Sequence, residues 1–261
     1  MRILFIGDII GKPGRRAVYG LLDSIKDSYN VDLVVANAEN ASGGFGITLK
    51  ITRELLDSGI DLLTSGNHIW DKKEIVEWFS EEKYLLRPAN YPTVNPGAGS
   101  NIIETPLGEK VGVLNVLGRV FMNNLDCPFK IATEEIEKIK EKTEIILVDI
   151  HAEATSEKVA MGWFLDGKVS AVIGTHTHIQ TADEKILPKG TAYITDVGMT
   201  GAMDSVIGIE KEIVIERFLT QRHQRFKIAK RDVQLNAVLI DIDPQTGKSN
   251  NIKRLKMDLD N

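Results

Sequence analysis

Short apolar runs alternate with amphipathic stretches over the first part of the chain. Ile3 to Ile6 is unbroken and ends at Gly7-Asp8. Val31 to Ala36 is interrupted only by Asp32 and ends at Asn37-Ala-Glu-Asn. Ile60 to Leu63, interrupted by Asp61, ends at Thr64-Ser-Gly-Asn-His. Near-continuous runs of this kind suit strands covered on both faces. Between the first two runs, Val18, Leu21, Leu22 and Ile25 recur at helical spacing, with Pro13 tolerated near the helix start. Between the second and third, Ile47 to Ser58 reads as another helix, closed by Gly59. Strands and helices in this order predict an α/β fold with a parallel sheet and right-handed crossovers.

The middle of the chain changes character. Pro88, Pro92 and Pro96 with Gly97 and Gly99 make Arg87 to Ser100 a poor place for regular structure. Asn101 to Glu104 and Val111 to Asn115 predict a hairpin around Pro106-Leu-Gly-Glu, and Gly118 to Pro128 a loop. Ala132 to Lys142 reads as a charged surface helix. Ile145 to Ile150, Val169 to Ile173 and Thr191 to Thr195 read as further buried strands, and Val233 to Ile242 as a long antiparallel one.

Composition narrows the class without naming a function. The chain has 261 residues, 43% hydrophobic and 26% charged, with a formal net charge of −5. That length buries a full core without disulfides, and the lone Cys127 forms none internally. The apolar start is too short for a signal-peptide core, and no run approaches the roughly 18 residues that span a bilayer, so the expected compartment is the cytosol and no membrane partner is expected. Mild acidity argues against a duplex-DNA binder.

The chemistry sits where the strands end. Six apolar runs finish in polar clusters: Asp8; Glu39 and Asn40; Asn67 and His68; His151; His176 and His178; and Asp196. Ligands of open α/β sheets bind outside the carboxyl ends of strands, and of the chain's histidines only His223 lies elsewhere. Two carboxylates, two carboxamides and several imidazoles form a mixed nitrogen and oxygen donor set. It suits iron, manganese or zinc rather than copper(I) or calcium. The set is too large for one tetrahedral ion and fits two ions sharing a carboxylate. Such a pair clamps the oxygens of a phosphoryl displacement.

The order Asp8, Glu39-Asn40, Gly66-Asn67-His68, His151 and Thr175-His176-Thr177-His178 resembles the calcineurin-like metallophosphoesterases. Ile10, Glu39, Ile69 and Thr175 depart from the usual motifs of that superfamily. Together with Gly7 to Arg15, Ala36 to Ala41 and Asp196-Val-Gly-Met-Thr-Gly, those departures resemble its bacterial YmdB-like phosphodiesterase branch across nearly the whole chain. The resemblance implies a layered β-sheet sandwich flanked by helices; the chain reads as a single domain over 1–261, and its irregular segment at about 70–128 is a candidate small cap over the metal face. It implies two divalent or trivalent metal ions, with iron ahead of manganese and zinc last, and a cyclic-nucleotide substrate, 2′,3′-cyclic favoured. Asp8, Asn40 and His178 would bind the first ion, Glu39 would bridge, and Asn67, His151 and His176 would bind the second. A bridging hydroxide would attack phosphorus, and His68 would be the general acid. Asn40 also fits as a helix cap or an αL residue.

Other features carry weaker expectations. Gly7, Gly11 and Gly14 lack the dinucleotide-binding spacing, and Asp8 would repel a pyrophosphate. Thr200 and Gly201 follow another strand end and are candidate contacts to phosphate or base. Arg222, Arg225, Lys227, Lys230 and Arg231 form a basic run that reads as a solvated face or as a means of steering anionic substrate or RNA ends. The competing functions are a metal-dependent phosphomonoesterase or nucleotidase and a nucleotide-binding regulatory protein without hydrolysis. A homo-oligomer is compatible with either.

Overall fold

The computed structural model describes residues 1–260. In chain order the elements are β1 (Arg2–Ile6), β2 (Asp8–Ile9), α1 (Gly11–Tyr29), β3 (Leu33–Asn37), α2 (Leu49–Asp57), β4 (Leu62–Thr64), α3 (Ile75–Trp78), β5 (Ser100–Glu104), β6 (Lys110–Leu117) and α4 (Pro128–Lys140). They continue with β7 (Ile146–His151), α5 (Thr155–Leu165), β8 (Ala171–Thr175), β9 (Lys185–Ile186), β10 (Ala192–Ile194), β11 (Met199–Ala202), α6 (Lys211–Thr220), β12 (Val233–Ile242) and β13 (Ser249–Asp258).

The strands form two sheets. One runs β2-β11-β12-β1-β3-β4, with β13 also paired to β12, and the other runs β5-β6-β7-β8-β10-β9. β1, β3 and β4 are parallel, as the alternating pattern predicts. β6, β7, β8 and β10 are parallel too. β12 is antiparallel to both β1 and β13.

Side-chain alternation explains the layering. Ile3 and Phe5 of β1 face the second sheet, in one cluster with Leu33, Val35, Val113, Leu147, Ile173 and Ile194. Leu4 and Ile6 face the other way, against Val18, Leu22 and Ile25 of α1 and Leu55 of α2. The outer face of the second sheet, Leu114, Val116, Val148 and Ile150, packs on Ile136 and Ile139 of α4 and Met161 and Leu165 of α5. The result is helices, sheet, sheet, helices: the layered sandwich expected from the family resemblance.

Several elements differ from expectation for identifiable reasons. Ser100–Glu104 and Lys110–Leu117 lie inside the stretch 70–128 expected as a cap, yet they are strands of the second sheet. Val111 and Val113 fill the core between the sheets, so these strands belong to the sandwich. α5, α6 and β13 are absent from the sequence reading. β13 hides because its buried positions Ile252 and Leu255 are three apart, on opposite faces of the strand, and each precedes an exposed lysine, Lys253 and Lys256, so no period of two shows.

Gly7 redirects the first strand. β1 pairs with β12 as far as Ile6↔Ala237, and β2 then pairs with β11 instead. A Cβ at Gly7 would run into the Gly198 carbonyl, so only glycine permits this close approach. The shift sets Asp8 beside the ends of the second sheet.

Candidate metal centre

Strand ends from both sheets converge. Asp8 begins β2, and Glu39 and Asn40 follow β3 in a turn where the Glu39 amide donates to Asn37 Oδ1 at 3.1 Å. Asn67 opens a short 3-10 turn after β4. His151 is the last residue of β7, and His176 and His178 follow β8. Asp8, Glu39 and His151 are fully buried.

Two ligand groups share one carboxylate. Donor atoms of Glu39, His151 and His176 lie within 4.8 Å of one another, and so do those of Asp8, Glu39 and His178. Asn67 Oδ1 is 3.2 Å from His151 Nε2. Asn40 Nδ2 is 3.4 Å from His178 Nε2 and donates to Glu39 Oε1 at 3.0 Å.

These residues fit metal ions. Asp8 Oδ1 and Asn40 Oδ1 are buried with no hydrogen-bond partner. A buried oxygen in that state costs about 1–3 kcal/mol unless a cation or donor meets it. His151 Nε2 faces Glu39 Oε1 at 3.1 Å, Asn67 Oδ1 at 3.2 Å and His176 Nδ1 at 3.0 Å. One ring proton cannot serve three acceptors, so lone pairs outnumber protons at that point.

Charge within the cluster sets the protonation states. Burial pushes the Asp8 carboxyl up, against the pull of His178 and His151. Burial would raise Glu39 too, but His151 and His68 outweigh it and bring that carboxyl down. For His151, burial works against the proton, while Glu39, Asp8 and Asp149 overcome it and hold the ring up at about 9. Burial and the neighbouring His151 bring His176 down to about 3.

A second layer of residues orients the first, and most of it was not legible in the sequence. Thr175 Oγ1 donates to Asp149 Oδ1 at 2.7 Å and lies 2.9 Å from His151 Nδ1. The chain Asp149–Thr175 thus takes the Nδ1 proton and turns Nε2 inward, the usual arrangement behind a ligand imidazole. His178 Nδ1 lies 3.0 Å from the Ile207 carbonyl, which turns its Nε2 inward as well. His176 and His178 have φ of 100° and 66°, a region that side chains other than glycine rarely adopt. Asp196, also at a strand end, braces this turn through Thr177 and belongs to neither ligand group. Gly66 leaves room for the ring of His151 and for Glu39 Oε2, which a Cβ there would strike.

His68 stands beside the ligand groups. Its amide donates to Glu39 Oε2 at 3.1 Å, its Nδ1 is 2.9 Å from Asp71 Oδ2, and Phe45 packs edge-on with ring centroids 4.9 Å apart. Asp71, which closes the 3-10 turn, thus sets a carboxylate against the His68 ring; its spacing three residues after His68 was the available signal. His176 Nε2 likewise meets Glu153 Oε2 at 3.1 Å.

A cavity of about 280 Å³ opens over these groups, lined among others by Glu39, Asn40, Phe45, His68, His176, His178 and Phe226. Thr200 and Gly201, expected near phosphate or base, are not among its walls. Thr200 is buried in β11, its hydroxyl 3.2 Å from the Asn236 carbonyl, and Gly201 pairs with Gln234. Sheet pairing consumes both. His223 is exposed and outside the centre. Among the described residues, no helix is long and apolar enough to cross a membrane.

Known proteins share this architecture over the whole chain. A 2′,3′-cyclic-nucleotide 2′-phosphodiesterase of Bacillus subtilis (strain 168) is 49% identical over 255 residues, covering 98% of this chain and 96% of that one. The crystal structure of a hypothetical protein from Thermus thermophilus is 44% identical, covers 99% of both chains and superposes with a TM-score of 0.92. That of a novel phosphatase from Mycoplasma pneumoniae is 37% identical, also with a TM-score of 0.92, over 99% of this chain and 93% of its own. The family model described as YmdB-like protein matches residues 4–255, and the chain belongs to that family.

Proposed function

We propose that this chain is a metal-dependent phosphodiesterase that hydrolyses cyclic nucleotides, 2′,3′-cyclic ones foremost, on a two-ion centre. The observation that carries the reading is the pair of ligand groups joined at Glu39. Asp8, Glu39, Asn40 and His178 would hold one ion, and Glu39, Asn67, His151 and His176 the other. Iron or manganese ahead of zinc matches this mixture of imidazole, amide and carboxylate. Bound there, two cations supply an activated water at neutral pH and positive charge against the phosphoryl oxygens. The name of the Bacillus subtilis relative supports the substrate class.

The chain's own residues supply the rest. Glu39 and Asp8 carry the negative charge that concentrates cations in a buried place. Phe45 and Phe226 give the cavity aromatic walls suited to a nucleobase. Asp71 holds His68 at Nδ1, which leaves Nε2 to handle the proton. In the reaction, water oxygen joins phosphorus, one ring P–O bond breaks, and His68 protonates the freed ribose oxygen.

The test is a panel of 2′,3′- and 3′,5′-cyclic nucleotides and terminal phosphomonoesters, run on protein whose metals have been measured by elemental analysis. Turnover of 2′,3′-cyclic nucleotides is expected. Activity on monoesters alone would replace this reading with the phosphomonoesterase. Metal-loaded protein that binds nucleotides and hydrolyses none would replace it with the regulatory binder.

A further inference from the structure

The cavity over the metal centre has a neighbour at Phe226. A second hollow, of about 420 Å³, shares Ile207, Ile209 and Phe226 with it and continues to Arg217 and Phe218 of α6. The Arg217 guanidinium lies 4.9 Å from the Phe226 ring centroid, and Phe218 is 72% exposed. The groove is thus apolar and aromatic along its floor.

Its rim is basic. Gln221 to Arg231 contains Arg222, Arg225, Lys227, Lys230 and Arg231 and no acid, in a chain whose net charge is −5. Phe226 and Ile228 are half-buried, whereas Arg225 and Lys227 are exposed. The segment turns Phe226 to the groove; Arg222 pairs with Glu216 at 3.3 Å, Lys230 and Arg231 lie around a separate hollow with Asp204, Glu210 and Glu212, and Arg225 and Lys227 are the cations left facing solvent beside Phe226. Basic side chains that follow a backbone, interleaved with aromatic faces on which bases stack, are what single-stranded nucleic acid requires. The groove and the metal-centre cavity adjoin at Ile207, Ile209 and Phe226, so a strand lying in the groove would present its end at the centre.

Chemistry at the centre says which end. A 2′,3′-cyclic phosphate forms when a ribose 2′-hydroxyl attacks the neighbouring 3′-phosphodiester of RNA and expels the next nucleotide's 5′-oxygen. That transesterification leaves the ring on the 3′ end of the upstream fragment, and the fragment is a mononucleotide only in the limiting case. We infer that the physiological substrate class is single-stranded RNA ending in a 2′,3′-cyclic phosphate. The terminal nucleotide occupies the metal-centre cavity, and the nucleotides before it run past Phe226 under Arg225 and Lys227. Hydrolysis adds water oxygen to phosphorus, breaks one ring P–O bond, protonates the freed ribose oxygen and leaves an RNA 3′ or 2′ monophosphate. The inference rests on the phosphodiesterase reading and extends it to the reaction that supplies the substrate, RNA cleavage by transesterification.

The experiment compares a six-nucleotide RNA carrying a terminal 2′,3′-cyclic phosphate with the corresponding cyclic mononucleotide on metal-loaded protein. The expected result is a kcat/KM on the order of tenfold or more higher for the RNA at low salt, an advantage that shrinks as salt rises. R225A/K227A, both exposed and outside the cavity, is expected to remove most of that advantage and leave mononucleotide turnover unchanged. Fluorescence anisotropy of a labelled RNA with a 3′-phosphate is expected to show the same loss in binding. Wild type that turns over the mononucleotide and treats the RNA no better overturns the RNA-end inference alone. Protein that hydrolyses neither overturns the phosphodiesterase reading beneath it. A polyglutamate of equal charge that competes as well as RNA assigns the tract to an acidic protein partner and also overturns the inference.

Discussion

Lys158 Nζ donates to Asp196 Oδ2 at 2.8 Å, and both side chains are fully buried. The same oxygen accepts from the amide of Thr177 at 3.0 Å and from its hydroxyl at 2.7 Å. Thr177 stands between His176 and His178, so one buried ion pair from α5 holds the strained turn that carries two candidate ligands. Lys158 also donates to the Thr175 carbonyl at 3.2 Å.

Breaking that pair from one side strands a buried carboxylate. Lys158→Met is expected to cost about 3–5 kcal/mol of folding stability. Metal affinity should fall with it, since the His176–His178 turn loses its brace. Urea unfolding reads the first and elemental analysis the second. A loss below about 1 kcal/mol would show that the pair does not hold the turn.

Asp8→Ala and His176→Ala each remove a side chain from a different ligand group. Wild type is expected to retain two ions per chain after gentle purification, and each variant fewer. Asp8→Ala also removes the unpartnered Asp8 Oδ1, so it should fold without a stability penalty from that atom. Unchanged metal content in either variant would defeat the proposed ligand set.

His68→Ala should separate catalysis from metal binding. Loss of a general acid typically costs about 10²–10⁴-fold in rate. Metal content is expected to stay at the wild-type level, because His68 belongs to neither ligand group. Asp71→Asn should lower kcat by less than His68→Ala, since it only releases the ring. Equal turnover by wild type and His68→Ala would remove the acid assignment.

Gly66→Ala tests the room behind the ligands. The added Cβ would strike the His151 ring and Glu39 Oε2, both held from several sides. Overpacking of this kind costs roughly 1–3 kcal/mol, and here the atoms that must move are candidate ligands. The variant is expected to lose metal as well as stability. Full metal occupancy would mean that the two side chains have more freedom than their contacts allow.

Metal loading should release protons in a pH-dependent way. Burial opposes a proton on His151, but Glu39, Asp8 and Asp149 hold the ring up at about 9 in the metal-free protein. The ring is therefore protonated at pH 7 and must surrender that proton to act as a ligand. Release is expected at pH 7 and should decline as pH rises through 9, with apparent affinity climbing over the same window. Calorimetric titration in buffers of different protonation enthalpy counts the protons. An identical count at pH 7 and pH 10 would contradict the raised value.

The sequence by itself determined the strand and helix order of the first half, because apolar periodicity and turn residues act over a few neighbours. Ile3–Ile6, Val31–Ala36 and Ile60–Leu63 read as parallel strands, and they are β1, β3 and β4. It also named the residues that the fold gathers at the candidate centre, because each stands at or near a strand end and the family's motifs are local. It did not give β13, α5 or α6. It could not have given Lys158, whose partner Asp196 lies 38 residues away, or Asp149, whose role depends on Thr175 in the adjoining strand. Thr200 and Gly201 looked like site residues on local grounds, but sheet pairing had already claimed them.

Tertiary structure decided the distances. The His176 amide donates to Asp8 Oδ2 at 3.2 Å across 168 residues of chain, because the two sheets pack face to face and Gly7 turns β2 toward the second sheet. Composition alone set an acidic chain against an anionic substrate. Folding gathers Asp8 and Glu39 in one buried place among the ligand histidines and sets Gln221 and Phe226 of the acid-free stretch Gln221 to Arg231 on the wall of the second hollow. Local patterning fixes which residues a strand offers at its end; only the packing of sheets fixes which ends meet.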